Sequence, residues 1–165
     1  MFTQPLTRQI VDFLTSIGLT VAAAELREPT FLPGLTISHG VLLVDEPRLP
    51  HPGDILHEAG HLALFPSAER PAVTAPLEAD PGFEMAAIAW SYAAARAIGV
   101  PIEILFHPAG YKGGAQSLIE NFSAGHYVGV PLLEWAGMTL TGQRSRAAGV
   151  APYPAMQRWL RPSPP

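Results

Sequence analysis

Residues 57–61 read His-Glu-Ala-Gly-His, and two histidines four apart constrain this chain more than any other feature it carries. The pentapeptide lies in an apolar run from Ile55 to Phe65, which Asp54 opens as an N-cap and Pro66 stops, so the spacing predicts a helix over 54–65. On an α-helix, residues four apart differ by about 40° around the axis and about 6 Å along it. His57 and His61 therefore leave one face and can each aim a ring nitrogen at a common metal ion. Glu58 stands on the flank of that face, where a carboxylate serves as general base to a metal-activated water and does not complete the coordination. A shuffled chain of this composition would contain the pattern in roughly one case in a hundred. Burying an unpaired His-Glu-His cluster among Ile55, Leu56, Leu62 and Leu64 would be costly, which makes a ligand the economical explanation. Gly60 costs about 1 kcal/mol in a helix interior relative to Ala, and predicts that another helix or backbone approaches closely on that side.

The chain is 165 residues long, the size of one domain, which is expected to span residues 1–161 with 162–165 as a frayed tail. It has no cysteine, so disulfides, thiolate metal sites and cysteine nucleophiles are excluded and any metal must be held by His, Asp or Glu. A net charge of −4 argues against a coat for nucleic acid or for an anionic membrane. No apolar window reaches the length of a membrane span. The first 15 residues contain Gln4, Arg8, Gln9 and Asp12 where a signal peptide needs an apolar stretch, so the expectation is a cytoplasmic protein. Charge is uneven: Arg144, Arg146, Arg158 and Arg161 follow the last acidic residue, Glu134. This basic tail reads as a solvated surface, with contact to an acidic partner as the alternative.

Periodicity outlines the remaining elements. Ile10, Val11, Leu14 and Ile17 form one face of an N-terminal helix over 7–18. A strand is expected over 20–26 and a hairpin pairs 35–38 with 41–44 across His39-Gly40. Pro47, Pro50 and Pro52 then bar regular structure. After a loop over 66–80, Asp80-Pro81 caps a second long helix that should run to Ile98 and end at Gly99. Shorter helices are expected over 115–124 and 131–136, while the last 28 residues give no clear period. The fold class is therefore α+β: an N-terminal helix, a short antiparallel sheet or hairpin, the His-Glu-x-x-His helix and packed C-terminal helices.

A catalytic zinc needs three protein ligands and an open position. A third histidine in the extended motif is excluded because Leu64 and Ser67 stand where Gly and His would be required. A carboxylate from the next helix is the remaining common solution. Glu84 lies in its first turn, followed along one face by Ala87, Ile88, Ser91 and Ala95, small enough to let two helices approach. Glu78 and Asp80 are the rivals; Asp80 is better used as the cap, and a rigid helix holds a ligand better than a loop.

Val41-Leu42-Leu43-Val44-Asp45, the Pro-rich connection, the run from Ile55 through His57-Glu58-Ala59-Gly60-His61 to Leu64, and Glu84-Met85-Ala86-Ala87 together resemble the gluzincin-type zincin metallopeptidases, more particularly the ImmA/IrrE-like family. The resemblance covers roughly residues 35–100. It implies a small zincin-like domain with one zinc ion held by His57, His61 and Glu84, Glu58 as the base, and hydrolysis of peptide bonds in a protein or peptide substrate. Such a substrate can bind as an added strand on the hairpin edge. Iron or nickel also suits two imidazoles and a carboxylate. A donor to the developing oxyanion is expected among His107, Tyr111, His126 and Tyr127, and His39 and His51 are expected at the surface. Two other classes of function stand beside this one: a metal-binding regulatory or interaction module of the same fold without turnover, and a metal-free structural or toxin–antitoxin-associated partner.

Overall fold

In chain order the elements are α1 (Pro5–Ser16), β1 (Thr20–Ala23), β2 (Leu35–Ser38), β3 (Val41–Val44), α2 (Gly53–Leu64), α3 (Pro81–Ile98), α4 (Ile102–Leu105), α5 (Ala115–Ser123), α6 (Val130–Trp135) and α7 (Gly142–Ala148). Single 3₁₀ turns fall at Glu46–Arg48, Arg70–Ala72 and Tyr111–Gly113. These come from a computed structural model that describes residues 1–77 and 80–163. The fold is α+β, and Glu78, one of the rival ligands, lies outside the described residues.

The sheet is mixed where an antiparallel one was expected. Its order is β1-β3-β2, with β2 antiparallel and β1 parallel to β3. The hairpin has the expected register, Leu35 opposite Val44 and Ser38 opposite Val41. Its two turn residues, His39 and Gly40, have φ of 48° and 75°, the left-handed pair that a two-residue hairpin matched to strand twist requires. β1 stops at Ala23, three residues short of the expected end, and its partner lies about twenty residues away in sequence, beyond the reach of a local pattern.

α1 starts at Pro5, two residues earlier than its apolar stripe suggested, because Pro at the first helical position needs no hydrogen-bond partner for its nitrogen. Its N-cap, Gln4, makes no side-chain cap. Instead Glu46, far along the chain, accepts from the backbone N–H groups of Thr3 and Gln4 at 2.8 and 3.0 Å. α2 begins at Gly53 with Pro52 at the cap, so Asp54 is not the N-cap that the sequence suggested. α3 behaves as expected: the Asp80 carboxylate accepts from Phe83 N–H at 2.9 Å, and Gly99 ends the helix.

α3 is the axis of the molecule. Its residues 86–95 are all buried, and α1, α2, α4 and α6 pack around it. Gly60 explains how α2 comes so close. A Cβ there would lie 2.8 Å from the backbone oxygen of Ala87 and 3.3 Å from the Trp90 ring, so only a bare Cα fits. Trp90, Phe106 and Phe122 are the largest fully buried side chains, and burial of such rings contributes about 2–3 kcal/mol apiece.

The final segment is strapped to this core. Tyr153 donates to Ala89 O and Trp90 Nε1 donates to Trp159 O, both at 2.8 Å. Arg161 donates its backbone N–H to Ala63 O and its guanidinium to Leu64 O, and Arg70 reaches Leu62 O and Phe65 O. Two of the chain's arginines thus satisfy the carbonyls at the C-terminus of α2, where positive charge is favoured by the helix dipole. For Arg161 this replaces the expected solvated tail. Among the described residues no helix is long and apolar enough to cross a membrane.

Candidate metal centre

α2 carries the cluster on the face it turns toward α3. His57 and His61 are buried and their Nε2 atoms lie 3.3 Å apart. Glu84, in the first turn of α3, spans both: its Oε1 is 3.1 Å from His57 Nε2 and its Oε2 is 3.1 Å from His61 Nε2. The ligand atoms of His57, Glu58 and His61 lie within 4.8 Å of one another, so this group could hold a metal ion.

The donor geometry can be compared with what an ion needs. Two nitrogens each about 2.05 Å from a tetrahedral zinc are separated by about 3.3 Å. The two imidazoles already stand at that separation, and the Glu84 oxygens stand only slightly nearer, so a cation fits these residues with little movement. The Nδ1 atoms of His57 and His61 are buried without a protein partner among the described residues. Among the described residues, then, no protein group supplies the outer hydrogen bonds that usually orient metal-ligating imidazoles.

The cluster is electrostatically coupled. Burial pushes the His57 imidazolium toward deprotonation, but the hydrogen bond and charge of Glu84, helped by Glu58 and Asp54, outweigh it and raise its pKa above the ordinary value. The hydrogen bonds from both imidazoles hold the Glu84 carboxyl well below the usual carboxylate range, against the effect of its partial burial. Glu58 moves the other way: burial raises it, and the neighbouring His61 and His57 offset this only in part. A carboxyl raised in this way is a better proton acceptor than a free glutamate, as a general base requires.

A cleft of about 320 Å³ opens onto the cluster, lined by Phe31, Leu32, Leu35, Thr36, Ala75, Pro76 and Leu77 as well as His57, Glu58, His61 and Glu84. One wall is the outer edge of β2. Asp45 N–H donates to Gly34 O, which makes 34/45, 36/43 and 38/41 the bonded rungs of the hairpin and turns the backbone groups of Leu35 and Ile37 outward. Leu35 N–H is taken by Leu32 O, and Ile37 O by Ala75 N–H. Leu35 O and Ile37 N–H remain without a partner among the described residues. Apart from Leu35 on the expected strand β2, the apolar lining was not identifiable from the sequence, because Phe31, Leu32, Ala75, Pro76 and Leu77 lie outside the regular elements.

Of the four candidate oxyanion donors, two come near the cluster. The Tyr111 ring meets His57 edge-on with centroids 5.5 Å apart, but its hydroxyl donates to Leu105 O at 3.2 Å. His107 is buried and its Nε2 lies 2.7 Å from Asp54 Oδ1, one turn before His57 on α2. Tyr127 packs instead with Tyr92, Phe122 and Tyr153, and His126 is exposed; none of the four candidates lines the cleft. His39 is exposed as expected. His51 is half-buried, its ring stacked on His107 at 3.7 Å, which the sequence reading placed at the surface. Asp80 stays on cap duty. No protein-family model, no curated protein and no solved structure matches this chain.

Proposed function

We propose that this chain is a zinc-dependent peptide hydrolase of the zincin type, with His57, His61 and Glu84 as metal ligands and Glu58 as the general base. The observation that carries the reading is the convergence of two buried imidazoles and one carboxylate at tetrahedral ligand spacing, with a second carboxyl of raised pKa beside them. When bound, the cation would supply Lewis acidity to the scissile carbonyl and acidify the attacking water. Glu58 takes the proton of that water and returns it to the leaving amine. Phe31, Leu32, Ala75 and Leu77 line the cleft with apolar surface on which the side chains of a peptide substrate can pack.

A second reading, a metal-binding module without turnover, draws on a different observation. The two candidate donors near the cluster are both engaged, His107 by Asp54 and Tyr111 by Leu105 O, which leaves the oxyanion to the cation alone. Elemental analysis and cleavage of a peptide library by wild type, Glu58→Gln and His61→Ala separate the readings. The hydrolase binds one zinc per chain and cleaves peptides. Glu58→Gln keeps the zinc and loses about 10²–10⁴-fold in rate, and His61→Ala loses both. Stoichiometric zinc with no cleavage by wild type favours the module, and no divalent ion bound at all overturns both.

A further inference from the structure

A second depression adjoins the first. It is a groove of about 630 Å³ between α3 and α5, with walls formed by Pro81, Met85, Ile88, Tyr111 and Leu118. Glu84 is the one residue that lines both the groove and the cleft. The exposed large apolar side chains are distributed accordingly. Of the four, Met1, Phe31, Met85 and Trp135, Phe31 borders the cleft and Met85 borders the groove. A soluble surface has no folding reason to leave apolar groups on both flanks of a carboxylate that two histidines hold, and such patches mark binding sites. The charges of the groove are two. Glu84 is engaged by the imidazoles, and Lys112 is exposed with no ion-pair partner among the described residues.

We propose that this groove is the specificity pocket of the hydrolase, receiving a large apolar side chain from one residue of the scissile pair, with Lys112 selecting an acidic neighbour. The proposal rests on the hydrolase reading and names its substrate class. Successive side chains of an extended peptide point in opposite directions. A chain lying across Glu84 therefore presents the residue on one side of a peptide bond to the cleft and the residue on the other side to the groove. The groove is the roomier of the two and its walls are the side chains of Met85, Ile88, Tyr111 and Leu118, which suits Leu, Met or Phe over a polar group. Lys112 brings the one uncompensated charge on that surface, favouring Asp or Glu and disfavouring Lys or Arg on the adjoining residue.

The test is kcat/KM for quenched-fluorescence peptides with the zinc-loaded full chain, varying the residues that flank the cleaved bond. Wild type should cleave peptides with Leu or Phe at one flanking position at least about tenfold faster than the Ala peptide, and an Asp neighbour should be preferred to Lys. Ser117→Trp, an exposed position that fills the groove, should cut the Leu-to-Ala ratio at least about tenfold. Lys112→Glu should invert the Asp-to-Lys ratio, and Trp135→Ala, at an exposed residue that lines neither the groove nor the cleft, should change neither. Circular dichroism and zinc content verify that each variant is folded and loaded. Unchanged ratios in both groove variants overturn the pocket while leaving the hydrolase reading in place. Failure of zinc-loaded wild type to cleave any peptide overturns the hydrolase reading, and the pocket falls with it.

Discussion

The Asp54 carboxylate meets His107 Nε2 at 2.7 Å with both residues buried, tying the first turn of α2, the helix of His57 and His61, to the segment that carries Tyr111. Tyr111 lies edge-on to His57, so the pair positions one wall of the site without touching its centre. Replacing Asp54 by Ala leaves a buried imidazole nitrogen without its partner and should cost about 2–3 kcal/mol in chemical denaturation. Asp54→Asn, which keeps an acceptor oxygen, should cost about 1 kcal/mol. The double variant Asp54→Ala with His107→Ala should cost less than the sum of the singles. Strict additivity would show that the contact contributes nothing beyond packing.

The pKa directions in the cluster predict opposite pH trends for the metal-free and metal-loaded protein. His57, raised above its ordinary 6.5, contributes stability that is full below 6.5 and lost as pH rises through its raised value. Glu84, depressed below its ordinary 4.5, contributes stability that is full above 4.5 and lost as pH falls through its lowered value. Glu58 is raised, so it subtracts stability as pH rises above 4.5. The metal-free protein should therefore lose melting temperature between pH 6 and 9. Zinc requires neutral imidazoles, so its affinity should rise over the same interval. Melting curves in chelator and in excess zinc, taken at each pH, read both trends; a metal-free melting temperature that climbs steadily from pH 6 to 9 contradicts the assignment.

The C-terminal strap gives a third prediction. Trp159 stacks edge-on to Phe13 and Trp90, with centroids 5.0 and 5.7 Å away, and its carbonyl accepts from Trp90 Nε1. Ending the chain at Arg158 removes these contacts and leaves the Trp90 N–H unpartnered. It also strips the carbonyls of Ala63 and Leu64 at the end of α2 of their Arg161 bonds, while Arg70 keeps its own to Leu62 O and Phe65 O. Truncation should cost about 3–5 kcal/mol, combining a lost aromatic contact, an orphaned donor and the lost carbonyl bonds. Arg161→Met alone should cost about 1 kcal/mol. Both are read by urea denaturation, and a truncated chain as stable as the whole one would refute the strap.

Much of the site was legible because it depends on local spacing. His57 and His61 share a face by helical period, Asp80-Pro81 fixes the start of α3 and hence Glu84, and Gly60 announced the close approach of another backbone that Ala87 provides. What was not legible depends on pairs distant in sequence. Asp54 has the chemistry of a cap, and only the fold brings His107, 53 residues away, to claim it. Glu46 caps a helix forty residues before it, and Arg161 caps one nearly a hundred residues before it. The parallel partner of β1 could not be read from a four-residue strand. α4 and α7, of four and seven residues, are too short to establish a period, and packing on α3 decides α4.

Gly60 couples stability to the candidate metal centre most directly. Ala is the better helix former by about 1 kcal/mol, so on propensity alone Gly60→Ala should stabilise α2. The added Cβ, however, would sit 2.8 Å from Ala87 O, a backbone atom fixed within α3 that cannot rotate aside. Overpacking of this kind costs about 1–3 kcal/mol, which exceeds or matches the gain in propensity and predicts net destabilisation of about 1 kcal/mol. The strain can be relieved only by moving α3 away from α2. Glu84 is one turn before Ala87 on the helix that moves, so its oxygens would retreat from His57 and His61. Zinc affinity should therefore fall by about 10–100-fold although no ligand has been changed. Competition with a chromogenic zinc chelator measures it, alongside a surface control such as Gln116→Ala. A Gly60→Ala protein that is more stable than wild type and binds zinc as tightly would mean that the two helices are not held at the distance the ligands require.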